Sequence, residues 1–255
     1  MSEDQAKKAP KVLIALATYN EIDNLPKLLR SLRSQTPNAD VLVVDDNSPD
    51  GTGRWAEEES RTDSHVHTVI RTNERGLGSA VIRALQYAID NDYDYVVNMD
   101  ADFSHPIDAL PKLLEKVEES TPKTDVVIGS RYIPGGATPD WPLRRRIMSR
   151  CVNMFARLTL GLKTKDNSGS YRCYRVEKLR ELDFDRFVSS GYSFFEETLF
   201  RLKLVGATFE EIPIIFVDRR HGKSKINRKE AVRAIWIMSI LGLRRFCGLE
   251  RVKRQ

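Results

Sequence analysis

Acidic and polar side chains follow the apolar runs of this sequence, at the point where each run ends. Three short segments stand in such positions: Thr18-Tyr19-Asn20-Glu21, Asp45-Asp46 and Asp100-Ala101-Asp102. If the runs are neighbouring parallel strands, these tips meet at one sheet edge, where open α/β sheets bind ligands. Crowded carboxylates repel one another, and a divalent cation with bound phosphate gives a physical reason to gather them. The spacing therefore predicts a metal and diphosphate site.

Simpler interpretations explain part of this pattern. Two aspartates in a turn often only cap a following helix, such as the helix that Pro106 opens. A turn with an N-cap also accounts for Asp50 or Thr52, but it leaves Asp46 unexplained, and a strand-end carboxylate suits a ribose hydroxyl or a base N–H. No G-x-G-x-x-G follows the first apolar run, which disfavours a dinucleotide-dependent hydride transfer.

The elements that must position these residues alternate regularly in the first half of the chain. Strands are predicted at 12–17, 41–44, 67–70, 93–99 and 126–129, and helices at 21–34, 51–61, 77–89 and 106–117. The runs are continuously apolar, which is typical of strands buried on both faces in a parallel sheet. We expect an α/β fold of the Rossmann-like, doubly wound type, with a mostly parallel central sheet flanked by helices.

The second half is less regular but shows no flexible linker. Helices are predicted at 143–160, 194–205 and 227–246, and a strand at 208–217. In the first of these helices, the residues expected to face the core are Ile147, Met148, Val152, Phe155, Ala156 and Leu158. The longest apolar run, 234–243, is shorter than the roughly 18 residues that a membrane span needs.

Composition and charge narrow the function classes. With 41% hydrophobic residues in 255, the chain can fold around a full core, which excludes a disordered protein. Residues 219–255 hold twelve Lys or Arg against two Glu, although the whole chain carries only +5. Such a basic end suits an anionic partner, either membrane headgroups or a phosphorylated ligand. Nucleic acid is disfavoured because few aromatic residues accompany the basic ones.

Taken together, the motifs resemble those of family 2 glycosyltransferases and, more narrowly, of soluble dolichyl-phosphate or polyprenyl-phosphate mannose synthases. The resemblance extends from about Val12 to Lys225. It rests on these segments: Ala17-Thr-Tyr-Asn-Glu21, Asp45-Asp-Asn-Ser-Pro-Asp-Gly-Thr52, Gly76-Leu-Gly78, Met99 to Pro106, Gly129-Ser-Arg-Tyr132, Trp141-Pro-Leu-Arg-Arg145, Asp166 to Arg172, Gly191-Tyr192 with Glu197, and Phe216 to Lys225.

The resemblance implies a GT-A fold and an inverting transfer of mannose from GDP-mannose to dolichyl or polyprenyl phosphate, with Mg²⁺ or Mn²⁺ as cofactor. The nucleotide sugar would be bound by Ala17, Tyr19, Glu21, Val44, Asp46, Asp100, Ala101, Arg131, Arg219 and Lys225. The residues that would act in catalysis are Asp100, Asp102, Arg131 and Arg219. The metal would be held by Asp100 and Asp102, and a third protein ligand is left open because Ser104 stands where some relatives have glutamine.

A phosphate acceptor also sets the chemistry. A phosphate monoester is already an anion at neutral pH, so it needs no general base to attack the anomeric carbon. Stabilisation of charge on the departing diphosphate becomes the main task. The candidates for holding the acceptor phosphate are Arg131, Arg145, Ser149 and Arg172; Arg145 and Ser149 lie four residues apart on one predicted helix.

Two alternatives stay open. One is a family 2 transferase that uses UDP-glucose or passes the sugar to a growing glycan; an acceptor hydroxyl would need a general base, for which Glu197 is the candidate. A non-catalytic nucleotide-sugar-binding subunit would bind the donor without turnover.

Three segments follow from these expectations. Residues 1–10 are expected to be a disordered tail and 11–226 the catalytic domain. Residues 227–255 are expected to form a basic amphipathic helix that anchors the protein peripherally on the cytoplasmic face of a membrane.

Overall fold

A seven-stranded sheet forms the centre of the computed structural model, which describes residues 9–191, 193–218 and 228–250. The strands are β1 (Val12–Thr18), β2 (Asp40–Asp45), β3 (Val66–Ile70), β4 (Tyr95–Asp100), β5 (Val126–Ser130), β6 (Arg172–Arg175) and β7 (Phe209–Pro213). Their order in the sheet is β3-β2-β1-β4-β6-β5-β7, and β6 alone runs antiparallel to its two neighbours. The expected α/β fold with a mostly parallel sheet is confirmed.

Helices cover both faces of this sheet. They are α1 (Leu25–Gln35), α2 (Thr52–Thr62), α3 (Leu77–Asp90), α4 (Leu110–Glu119), α5 (Leu143–Leu160), α6 (Val176–Leu179), α7 (Phe194–Leu204) and α8 (Arg228–Phe246). In α1, the residues Leu25, Leu28, Leu29 and Leu32 recur at helical spacing and are all buried. One apolar cluster includes α1 and α4, and the other includes α3, α7 and the inner sides of α5 and α8.

Three parallel strands end level with one another at the predicted edge. Ala17 of β1 is in register with Val44 of β2 on one side and with Asp100 of β4 on the other. Thr18 likewise pairs with Asp45. Because hydrogen-bonded neighbours lie only about 5 Å apart, the polar tips after these strands must share one surface.

Strand β6 was not predicted, and β7 is shorter than the predicted 208–217. The sequence of β6 is Arg-Cys-Tyr-Arg, which lacks the apolar pattern of a central strand. Its arginines are nevertheless accommodated, because Arg172 and Arg175 donate to the main-chain carbonyls of Phe195 and Val117. Strand β7 ends at Pro213, which has no N–H for a further ladder bond.

Helix α5 has the predicted bounds but only part of the predicted inward face. Ile147, Met148 and Leu158 were expected in the core and are instead 52%, 55% and 73% exposed. Asn153, Ala156 and Leu160 are the buried residues. Val152, Phe155 and Ala156 pack against the core as predicted, so the expectation is wrong for three of the six residues. Near the start of the helix, Arg145 and Ser149 turn toward Trp141 and Tyr132, and this leaves Ile147 and Met148 outside.

Helix α8 ends at Phe246, so the segment 227–255 is not one continuous helix. Gly248 adopts a left-handed φ of 70°, and the N–H of Leu249 bonds to the carbonyl of Arg244, which closes the helix end. Ile237, Met238 and Leu241 pack into the core. Among the residues described, no helix is long and apolar enough to cross a membrane. Arg219, Lys225 and most of the predicted N-terminal tail lie outside the described residues.

Candidate active site

The two aspartates at the end of β2 have different roles. Asp45 has no exposed surface, and its carboxylate accepts hydrogen bonds from Thr18 Oγ1 at 2.7 Å and from the Ser48 N–H at 2.8 Å. Gly53 is required beside it, because a Cβ there would lie 2.5 Å from Asp45 Oδ1. Asp45 therefore ties together the loops that follow β1 and β2.

Asp46, the predicted nucleotide contact, joins the end of β2 to the start of α3. Its Oδ1 accepts from Arg71 Nε at 2.8 Å, and its Oδ2 accepts from the Gly76 N–H, also at 2.8 Å. Gly76 has a φ of 134°, which only glycine adopts readily. Oδ1 also accepts from Arg71 Nη2, so the remaining lone-pair capacity is on Oδ2, where a ribose or base donor would add to this network rather than replace it.

Two other predicted nucleotide residues, Tyr19 and Glu21, follow β1 and lie near this point. The Arg75 guanidinium lies 5.4 Å from the centre of the Tyr19 ring. Glu21 accepts from Asn24 Nδ2 at 2.9 Å, and its own N–H donates to Thr52 Oγ1 at 2.9 Å. A cavity of about 260 Å³ adjoins the end of β2 and is lined by Asp45, Asn47, Ser48, Pro49, Gly53, Arg54, Ile70 and Arg75.

The end of β4 holds the two predicted metal ligands. The Asp100 side chain is 34% exposed, and its Oδ1 accepts from Ser170 Oγ at 2.8 Å. The Asp100 N–H donates to Nδ1 of His105, so the proton of the neutral imidazole sits on Nε2. Burial lowers the pKa of His105, which keeps this ring neutral. Asp102 is almost buried and accepts from the N–H and hydroxyl of Ser104.

This donor set fits a hard divalent cation that also binds substrate. In the described part of the chain, no three His, Cys, Asp or Glu side chains come together as a complete metal cage. Mg²⁺ and Mn²⁺ are suited to one or two carboxylates plus phosphate oxygens, so Asp100 and Asp102 with a diphosphate would meet that need.

Arg131, which directly follows β5, is locked to Asp166. Asp166 Oδ2 accepts from Arg131 Nε at 2.7 Å and from its N–H at 2.9 Å, and Oδ1 accepts from Nη2 at 2.6 Å. Burial opposes the charged forms, but the mutual attraction outweighs it, so the pKa of Arg131 is raised and the pKa of Asp166 is lowered. The pair is therefore ionised across the neutral pH range.

Arg145 of α5 is a second arginine on the same surface as Arg131. The guanidinium carbons of Arg145 and Arg131 lie 3.9 and 5.3 Å from the centre of the Trp141 ring. Asp218 accepts from Arg145 Nη1 at 2.8 Å and from Trp141 Nε1 at 3.1 Å. The Tyr132 hydroxyl donates a hydrogen bond to Ser149 Oγ at 2.6 Å. We call this group the cation pocket, because two arginines give it its cationic groups. The pocket consists of Arg131, Tyr132, Trp141, Arg145 and Ser149.

Arg172 does not join the cation pocket. It is fully buried, and its Nη1 and Nη2 donate to the carbonyls of Phe195 and Asn167 at 2.7 and 2.6 Å. A phosphate cannot reach it in this arrangement, so we leave Arg172 out of the acceptor site. Glu197 is buried too, and it accepts from the Ser189 N–H and from Arg201 Nε.

The loop 166–170 was missed as a functional element. Asp166 holds Arg131, while Ser170 donates to Asp100. The sequence contained one signal, because the segment 166–172 is among the motifs that carry the resemblance, but only Arg172 in it was assigned a role. Asp218 and Trp141 also belong to motifs that carry the resemblance, but only the fold shows that both contact Arg145.

Comparison with known proteins agrees with this geometry. The model of the glycosyl transferase family 2 matches residues 13–183. The chain belongs to glycosyltransferase family 2. It is 44% identical over 217 residues to an undecaprenyl-phosphate mannosyltransferase of Micrococcus luteus, covering 85% of this chain and 88% of that protein. It is 37% identical over 245 residues to a polyprenol monophosphomannose synthase of Mycolicibacterium smegmatis, covering 95% and 91%.

Solved structures place the glycosyltransferase in the GT-A fold. Glucosyl-3-phosphoglycerate synthase from Mycobacterium tuberculosis, in complex with Mn²⁺, UDP-glucose and phosphoglyceric acid, superposes with a TM-score of 0.64 at 18% identity. The match covers 94% of this chain and 80% of that one. The same synthase with Mg²⁺ and UDP gives a TM-score of 0.60. At this identity the likeness concerns the fold.

Glu196, next to the buried Glu197, generates a prediction about stability. Burial raises the pKa of Glu196 to about 7, against the opposing effects of its own N–H and of Arg172. The unfolded carboxyl titrates near its ordinary value, so folding is penalised progressively as pH rises from about 4.5 to 7. The full penalty, about 3 kcal/mol, remains above that range.

Glu196→Gln should therefore raise the melting temperature relative to the parent protein more at pH 8 than at pH 5, as measured by calorimetry. Glu119→Gln, at an exposed position on α4, is the control and should give the same small difference at both pH values. A Glu196→Gln effect independent of pH would show that the carboxyl titrates normally.

Proposed function

We propose that this glycosyltransferase moves mannose from GDP-mannose to a dolichyl or polyprenyl phosphate, with inversion at the anomeric carbon. The observation that carries the proposal is the cation pocket, which lies beside the carboxylates at the end of β4 and is linked to them by the loop 166–170. Both named relatives use a polyprenol-linked phosphate and mannose, according to their names.

The pocket supplies what a phosphate acceptor needs. The side chain of Arg145 is 36% exposed, so its guanidinium is within reach of a ligand while Asp218 and Trp141 orient it. Ser149 adds a hydroxyl on the same inner side of α5. Arginine N–H groups match phosphate oxygens in geometry and charge, which makes this a recognition site rather than a diffuse positive surface.

The chemistry then requires no general base. The acceptor oxygen is already ionised, and the residues only have to bring two anions together and stabilise the leaving diphosphate. Asp100 and Asp102 would hold Mg²⁺ or Mn²⁺, which when bound neutralises charge on that diphosphate. Glu197, the base considered for a hydroxyl acceptor, is occupied by Ser189 and Arg201, and this favours the phosphate acceptor.

A direct assay tests donor and acceptor together. The purified protein is incubated with labelled GDP-mannose, UDP-glucose or UDP-GlcNAc, and with either polyprenyl phosphate or the unphosphorylated polyprenol. We expect transfer from GDP-mannose to the phosphorylated lipid alone. Equal use of free polyprenol would contradict the base-free mechanism. Preference for UDP-glucose would show that the donor is not GDP-mannose. Donor binding without turnover would indicate a non-catalytic binding subunit.

Loss of the Asp102 carboxylate should reduce turnover strongly. We expect Asp102→Ala to lower kcat by about 100-fold or more, because preorganised charge stabilisation of the leaving group is lost. Asp108→Ala, an exposed carboxylate just before α4, is the matched control and should retain kcat. A full kcat of Asp102→Ala in metal-depleted buffer would show that Asp102 holds no metal.

The outer sides of α5 and α8 suit the surface of a membrane. On α5, the exposed apolar residues are Leu143, Ile147, Met148, Met154 and Leu158, and arginines flank them. On α8, exposed apolar residues include Val232, Trp236, Leu243 and Phe246. Apolar stripes bordered by arginine favour the interface of an anionic bilayer. We propose peripheral binding to the cytoplasmic face, next to a lipid-linked acceptor.

Vesicle cosedimentation measures this binding. It should increase with the fraction of anionic lipid and fall with added salt. Trp236→Glu should weaken it, whereas Val188→Glu, at an exposed apolar residue outside both helices, should not. Binding that ignores lipid charge and salt would rule out the anchor, and a salt-independent dimer in solution would assign the stripes to self-association.

A further inference from the structure

Arg131 is held by a clamp more extensive than an ordinary ion pair. Asp166 has no exposed surface, and its carboxylate accepts three hydrogen bonds from Arg131 and one from the Gly169 N–H at 3.1 Å. Arg131 Nη2 also donates to Ser168 Oγ at 3.0 Å. Both Nε and Nη2 are thereby committed to the loop 166–170.

The clamp leaves one edge of the guanidinium for other partners. Within the described part of the chain, Nη1 of Arg131 makes no hydrogen bond. The rings of Trp141, Tyr132 and Phe216 lie 5.3, 5.4 and 5.6 Å from its central carbon. With two nitrogens fixed and aromatic rings around the plane, the direction of the Nη1–H bonds is fixed as well.

Competition from another carboxylate gives the clamp a purpose. Asp100 lies close enough to Arg131 to contribute to the raised pKa of the guanidinium. Without Asp166, Arg131 would be drawn toward Asp100, and the proposed metal ligand would then be occupied by an arginine. Because Asp166 neutralises the charge of Arg131 locally, the ion pair does not strengthen the attraction for an anion. It orients Arg131 and keeps the guanidinium apart from Asp100.

The loop that carries Asp166 is itself fixed from two sides. Glu211 of β7 accepts from the N–H of Lys165 at 2.8 Å and of Asp166 at 3.0 Å. From the interior, Arg172 Nη2 donates to the carbonyl of Asn167. These contacts explain why a buried arginine and an acidic residue on an edge strand accompany the site.

We infer that Asp166 is a positioning residue, which aims Arg131 at the acceptor phosphate and keeps it away from Asp100. The inference rests on the proposed function, because it presumes a phosphate acceptor in the cation pocket. Glu211 supports the same arrangement through the backbone of the loop.

The test is a double-mutant cycle with Asp166→Asn and Arg131→Ala, in which kcat and KM are measured for GDP-mannose and for polyprenyl phosphate. We expect Asp166→Asn to raise the KM for polyprenyl phosphate by about 10-fold or more, in line with other residues that orient a ligand-binding group. The KM for GDP-mannose should rise by a smaller factor, and only while Arg131 is present, because a released Arg131 would compete with the metal for Asp100. In the Arg131→Ala background, Asp166→Asn should have no further effect, because it acts through Arg131.

Stability provides the second readout. A merely structural Asp166 would lower the melting temperature and change both KM values alike, in either background, and that result would overturn the inference. Glu210→Gln on β7, whose partner Lys116 lies away from the site, is the control and should change neither KM. If Asp166→Asn does not fold, Glu211→Gln replaces it in the test. This variant should also raise the KM for polyprenyl phosphate.

The outcome separates this inference from the proposed function. If the unaltered protein fails to glycosylate polyprenyl phosphate, the proposed function fails. If the unaltered protein is active and Asp166→Asn adds its full effect to that of Arg131→Ala, the positioning role alone fails.

Discussion

Charge pairing at the carboxyl edge of the sheet is the constraint on which the site depends. The level ends of β1, β2 and β4, with the loop 166–170 and the segment after β7, bring several carboxylates close together. Asp46 is paired with Arg71, Asp166 with Arg131 and Asp218 with Arg145, whereas Asp100 accepts only from neutral partners among the side chains described. Asp45 also accepts only from neutral groups, but it is buried and supports the loops after β1 and β2, whereas the partly exposed Asp100 is where we propose that a cation binds.

This distribution suits a reaction between two anions. A site built from free arginines would bind phosphate tightly but would also attract its own carboxylates. Pairing each arginine with an aspartate fixes the position of its guanidinium. Recognition of an anion then depends on N–H groups that point in a fixed direction. The cost is a dense network in which few side chains have a single partner, so most substitutions here affect more than one element.

The sequence predicted most of the fold because burial dictates it. Continuous apolar runs identified the parallel strands, and strand-end carboxylates located the edge at which the candidate site lies. What failed was the part decided by polar packing. Strand β6 has two arginines, and its placement depends on carbonyls of α4 and α7 that no local pattern reveals. The partners of Arg131 and Arg145 come from distant segments, and the burial of Arg172 contradicted the ordinary expectation that arginine is exposed.

Helix α5 differs from an ordinary surface helix because no side of it is a plain solvent-exposed polar surface. Asn153, Ala156 and Leu160 fill the interior, Arg145 and Ser149 face Trp141 and Tyr132, and the remaining surface is apolar with arginines. A surface helix usually tolerates almost any polar residue over half its circumference. In α5, by contrast, an acidic substitution would disturb the core, the arginine network or the exposed apolar surface, so we expect few acidic substitutions to be tolerated anywhere on this helix.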